Sequence, residues 1–148
     1  MKKKSQKILE ETTHSEQETI QAAKSFAKTL KPGSVIALHG NLGSGKTTFI
    51  KGIALGLGLK DPDEVKSPTF ALMHTYASRI PLYHFDLYRL ESEREIVNIG
   101  FEEFVNDPGA VTCVEWGARA GSLLPSVHFD IILESLGPSD RHILITKA

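Results

Sequence analysis

The sequence predicts an α/β fold, a three-layer sandwich built on one mixed sheet of about seven strands with helices on its faces. Three observations carry that prediction. Apolar runs of strand length alternate with stretches whose apolar residues recur at helical spacing. One run, Val35-Ile36-Ala37-Leu38, is apolar at every position, as expected of a strand covered on both faces. It leads straight into a glycine loop and then into a helical pattern. At 148 residues, the chain is long enough for a single domain over 1–148 and too short for two full ones.

Taken in order, Ile8 and Leu9 mark a short first strand. Ser15-x-x-Glu18 is a capping box, and Ile20, Ala23, Ala27 and Leu30 follow at helical spacing until Lys31-Pro32-Gly33 ends the helix. After Val35–Leu38 and the glycine loop, helix is expected from Lys46 to about Leu57, then a turn around Asp61-Pro62-Asp63. Two apolar runs, Phe70-Ala71-Leu72-Met73 and Leu82-Tyr83-His84-Phe85, are joined too closely for a parallel crossover and should pair antiparallel. Short helices are expected over Glu91–Ile99 and Phe101–Val105, then a buried strand over Val111–Val114. The runs Val127–Leu133 and His142–Ile145, separated by Leu136-Gly137-Pro138-Ser139-Asp140, read as a closing hairpin.

A hydrophobic fraction of 41% and a charged fraction of 24% are ordinary for a globular protein. The formal charge of −1 lacks the basic excess of a domain that grips nucleic acid by itself, so any link to RNA would run through a partner. The single cysteine, Cys113, lies in an apolar run and reads as a buried core residue; one thiol makes no internal disulfide, which fits a reducing compartment. The lysines in residues 1–7 read as a flexible basic tail, because no apolar segment follows them as in a signal peptide. No stretch approaches the length of a membrane span. A cytoplasmic protein is expected.

The motif G-x-x-x-x-G-K-[ST] is matched in full by Gly40-Asn41-Leu42-Gly43-Ser44-Gly45-Lys46-Thr47. A chance match in a chain of this size is of order ~1%, and the flanking strand and helix patterns reduce it further. The glycines let backbone N–H groups converge into a nest for phosphate oxygens, and the helix that follows adds its positive end. In this P-loop, Lys46 should reach the β- and γ-phosphates, Thr47 should ligate Mg²⁺, and Thr48 should approach the α-phosphate. Such a site also needs a carboxylate at the end of a nearby strand. Asp86 and Glu115 both satisfy that description, and spacing alone does not divide the roles between them.

Ser67-Pro68-Thr69 is placed either as a γ-phosphate sensor or as a turn opening a strand. Arg89 can stabilise transferred charge or pair with Glu91 or Glu93. His84, alternating with aromatic neighbours in a strand, reads as a satisfied structural histidine rather than a base, and Trp116 as packing or as a contact platform.

Four segments together resemble the TsaE (YjeE) family, the ATPase subunit of the bacterial machinery that makes threonylcarbamoyladenosine in tRNA. They are the P-loop extended through Thr48-Phe49, Ser67-Pro68-Thr69-Phe70, His84-Phe85-Asp86-Leu87-Tyr88-Arg89-Leu90 and Val114-Glu115-Trp116. The resemblance implies ATP and Mg²⁺ as cofactors, with Asn41, Leu42, Gly43, Ser44, Gly45, Lys46, Thr47 and Thr48 around the phosphates. It implies that Thr47 and Glu115 hold the metal, that Asp86 serves hydrolysis at the γ-phosphate side, and that Thr69 lies in a switch-like loop. It also implies that Trp116 lies near the nucleotide and that Thr19 and Arg141 border it. The activity implied is slow ATP hydrolysis supporting the TsaB–TsaD pair, which meets the tRNA. ATP rather than GTP rests on this resemblance, since the chain has no Asn-Lys-x-Asp guanine-reading segment. Three positions depart from the family's usual residues: Asn41 for Asp, Ser44 for Ala, and Gly117 for Pro or a larger residue, which implies a more flexible loop after Glu115.

Two rival readings remain in view. A small-molecule kinase on the same loop would need an arginine-bearing lid, and beyond Glu115 the chain offers only Arg119 and Arg141. A nucleotide-gated switch with little turnover differs from the ATPase reading in degree.

Overall fold

A computed structural model describes residues 5–148 of the chain. Its sheet contains strands β1 (Gln6–Thr13), β2 (Val35–His39), β3 (Met73–Tyr76), β4 (Leu82–Asp86), β5 (Val111–Glu115), β6 (Phe129–Ser135) and β7 (Arg141–Lys147). They lie in the order β1-β7-β6-β2-β5-β4-β3, seven strands as expected. The centre, β6-β2-β5-β4, is parallel; the edges β3 and β7-β1 join antiparallel. Helices α1 (Glu16–Ala27), α2 (Lys46–Gly56), α3 (Glu93–Asn98) and α4 (Phe101–Val105) cover it.

The two faces are packed differently. Against one, Phe26 of α1 and Phe49, Ile50 and Ile53 of α2 close over Ile36, Leu38, Ile131 and Ile143. On the other, Ile96 of α3 and Phe101 of α4 pack on Phe85 and Val114, with the Phe85 and Phe101 rings 5.0 Å apart edge to face. Cys113 is buried in the first cluster, as expected, and burial pushes its thiol far above its ordinary range. Replacing the fully buried Phe49 by alanine should cost about 3–5 kcal/mol of stability, read as a lowered urea midpoint at unchanged slope.

The capping box forms with a variation. Ser15 accepts from the Glu18 N–H, and the Glu18 carboxylate accepts from the N–H of His14 rather than from that of Ser15.

Two strand boundaries depart most from expectation. The third strand starts at Met73, because Leu72 adopts a left-handed conformation (φ 68°) and Phe70 faces solvent at 86% exposure. Its antiparallel pairing with β4 holds, with Met73 opposite Phe85. The first strand is longer than Ile8-Leu9 and takes in Gln6 and Lys7, residues assigned by sequence to the basic tail. The rest of that tail, residues 1–4, lies outside the described residues. After Glu115, residues Gly117–Leu123 form 3₁₀ turns that meet at a kink at Gly121 (φ 50°). Gly117 packs so tightly on β2 that an added Cβ would stand 2.6 Å from the Cβ of Ala37, which is why a larger residue has no room there.

Candidate functional site

Parallel strands deliver the site. The register sets Leu38 of β2 beside Glu115 of β5, and Glu115 beside Asp86 of β4, so both acids emerge at the same edge as the glycine loop. That edge is where open α/β sheets place their ligands. Gly40 starts the loop with φ 152°, and a Cβ there would meet the Leu133 carbonyl at 2.6 Å. At the far end, α2 begins after Gly45 with no side chain among the described residues capping its first turn. Its leading N–H groups are therefore free to bind an anion.

Lys46 is nearly buried and bends back over the loop. Its ammonium donates to the carbonyls of Gly40 (2.6 Å) and Asn41 (3.1 Å) and stands 4.4 Å from the centre of the Trp116 ring. Burial lowers its pKa, while the charges of Glu115 and Asp86 work against that shift. The Thr47 hydroxyl lies 3.4 Å from both carboxylate oxygens of Glu115.

Asp86 is fixed from three sides: Oδ2 accepts from Ser67 Oγ (3.0 Å) and Thr69 Oγ1 (2.9 Å), and Oδ1 accepts from the Tyr88 N–H (2.9 Å). The Ser67-Pro68-Thr69 turn is thus strapped to the acid. These groups line a cleft of about 380 Å³ that also includes Leu42, Gly43, Gly45, Thr48 and Trp116. A smaller hollow adjoins it, bordered by Thr19, Gly45, Thr48 and Arg141. Arg141 reaches the loop, donating to the Gly43 carbonyl at 3.3 Å. The Thr19 hydroxyl is already engaged by that of Thr13 at 2.6 Å.

Not every sequence candidate faces the cleft. Asn41 and Ser44 turn toward a separate hollow beside Ile132 and Leu133, and the buried Ser44 hydroxyl has no hydrogen-bond partner among the described residues. Arg89 lies outside, its guanidinium 5.0 Å from the exposed Phe70 ring. Sequence reasoning missed Tyr88, which lines the cleft with its ring centre 5.0 Å from that of Trp116. Its position two residues beyond Asp86 was the available signal.

The family described as "Threonylcarbamoyl adenosine biosynthesis protein TsaE" matches residues 13–143, which contain the whole of this cleft. The chain belongs to the TsaE family. Among its relatives, a Treponema pallidum protein named tRNA threonylcarbamoyladenosine biosynthesis protein TsaE is 41% identical over 133 residues, 90% of this chain and 96% of that protein. A Bacillus subtilis protein of the same name is 40% identical over 141 residues, covering 95% and 86%. The crystal structure of B. subtilis YdiB superposes with a TM-score of 0.77 at 33% identity, over 98% of this chain and 88% of that one. The TsaE resemblance drawn from four short segments therefore extends along nearly the whole chain, and the mixed-sheet fold is shared with a solved structure.

Proposed function

We propose that this TsaE-family chain is the Mg²⁺-dependent, ATP-binding and slowly ATP-hydrolysing subunit that supports threonylcarbamoyl transfer to the adenosine beside the anticodon in tRNA. It acts with the TsaB–TsaD pair, and tRNA reaches it only through that complex. The observation that carries this reading is the convergence of an uncapped helix start, Lys46, Thr47 and two strand-end carboxylates in one cleft.

The residues fit the groups they would hold. No cluster of three His, Cys, Asp or Glu among the described residues is arranged to hold a metal by itself. Thr47 and Glu115 instead offer two hard oxygen ligands facing a phosphate cradle, the donor set that suits Mg²⁺ completed by water and phosphate oxygens. When bound, Mg²⁺ would neutralise charge developing on the phosphates. Lys46 would exchange the loop carbonyls for phosphate oxygens, the first-turn N–H groups of α2 would bind the same anion, and Glu115 and Thr47 would hold the metal. Asp86, immobilised by its three donors, orients water on the γ-phosphate side. Thr69, bonded to that same carboxylate, makes the loop responsive to what occupies the cleft.

The kinase reading loses its remaining support in the arginines. Arg119 donates to the Leu90 carbonyl at 2.7 Å and Arg141 to that of Gly43, so both are built into the body of the protein rather than into a lid. No helix among the described residues is long and apolar enough to cross a membrane. We assign the chain to the cytoplasm, as one P-loop domain.

The test is ATP hydrolysis with Mg²⁺ by the purified protein, alone and with the TsaB–TsaD pair and tRNA. Slow turnover that the pair stimulates is the expected result. Turnover indifferent to the pair would overturn the assignment to that complex, and absence of Mg²⁺-dependent ATP binding would overturn the site itself.

A further inference from the structure

Between β3 and β5 lies a row of buried polar groups that the hydrolytic chemistry does not use directly. His84, in the middle of β4, is fully buried. A buried imidazole is tolerated only when both ring nitrogens find partners. Nε2 lies 2.5 Å from Glu115 Oε2, and because a carboxylate only accepts, the nitrogen donates. Nδ1 lies 3.1 Å from the Tyr76 hydroxyl. That hydroxyl in turn accepts from the Lys66 N–H at 3.3 Å and lies 3.2 Å from the Lys66 carbonyl. Lys66 immediately precedes Ser67, whose hydroxyl, with that of Thr69, holds Asp86. Since Asp86 and Glu115 are register partners on adjacent strands, the chain of contacts closes into a ring around the cleft.

We propose that His84 and Tyr76 are positioning residues that fix the Glu115 carboxylate and couple it to the loop beginning at Lys66. The inference rests on the reading of Glu115 as a metal-holding group. A histidine kept only for packing could satisfy its nitrogens on any backbone carbonyl or water. Here both partners are side chains, one the acid itself and the other the anchor of the loop that grips the second acid. Movement of the loop is thereby transmitted to the orientation of Glu115, and a partner that draws the loop outward would loosen the metal without touching it.

The test is calorimetric titration of the full chain with ADP over a range of Mg²⁺ concentrations and in EDTA. H84N places an amide within reach of Tyr76 but short of Glu115. It should raise the Mg²⁺ concentration for half-maximal enhancement of ADP binding about 10-fold, with ADP affinity in EDTA unchanged. H84Q returns an N–H donor near the position of Nε2 and should stay within about threefold of wild type. Y76F keeps the ring and its volume, carries the same test should H84N not fold, and should raise the Mg²⁺ midpoint about threefold. It should also speed tryptic cleavage after Lys66. Equal midpoints in wild type, H84N and Y76F would assign His84 to the core alone and overturn the proposal, and unchanged cleavage after Lys66 in Y76F would remove the coupling to the loop. Wild-type ADP binding indifferent to Mg²⁺ is a separate failure, that of the metal reading of Glu115, and would take this inference with it.

Discussion

Lys46→Ala is expected to reduce ATP hydrolysis by about 10²–10³-fold, the scale on which a preorganised charge aimed at a reacting phosphate acts, and to weaken ATP binding by about 10–100-fold. The size follows from the burial of the ammonium between Trp116 and the loop carbonyls, where little water competes for it. Two carboxylates share the cleft, so removing the lysine also leaves Asp86 and Glu115 with less opposing charge and makes the cleft more hostile to an anionic ligand. Binding by calorimetry and turnover by phosphate release test the two effects separately. Hydrolysis by K46A within about threefold of wild type would mean that the loop amides do the work.

Glu115→Gln should lower hydrolysis by about 10³-fold and abolish the dependence of nucleotide binding on Mg²⁺, because the amide takes away the ligand charge. Its stability should stay close to that of wild type, since the amide oxygen still accepts from His84 in place of Oε2. Glu115→Ala should lose the same activity and in addition about 1–3 kcal/mol of stability, because it strands a buried histidine nitrogen. Comparing urea midpoints and Mg²⁺ titrations of the two variants separates ligation from support. Equal stability losses would show that His84 finds another acceptor.

Much of this site was legible in the sequence because its parts are local. The Gly40–Thr47 motif is a contiguous string matched residue by residue, and Asp86 and Glu115 were visible as acids closing apolar runs. What was not legible depends on pairing across the sheet. Nothing in spacing says that Asp86 stands beside Glu115 or that a histidine two residues earlier bonds to the neighbouring strand's acid; register decides both. Resemblance to TsaE, not residue order, divided the roles of the two acids.

The fold shows the same limit. Strands covered on both faces read correctly as continuous apolar runs. The edge strand β1, with exposed Glu and Thr, gave little apolar signal beyond Ile8 and Leu9. The run Phe70-Ala71-Leu72 misled because the aromatic faces outward and Leu72 turns left-handed, so a strand that alternates with polar residues, Met73–Tyr76, took its place.

The antiparallel edge has a consequence for the order in which the protein is born. Among the described residues β1 pairs only with β7, Gln6 lying opposite Lys147, so this early strand must wait for one of the latest before it has a neighbour. Arg141 likewise reaches the Gly43 carbonyl from 98 positions further along the chain. On a ribosome, β2, α2 and β5 can assemble while β1 still presents an unpaired edge, the kind of surface that holdase chaperones shield. The glycine loop is synthesised early, but the arginine that reaches it arrives only when β7 emerges, so a nascent chain stalled before that strand would carry the motif without the finished cleft.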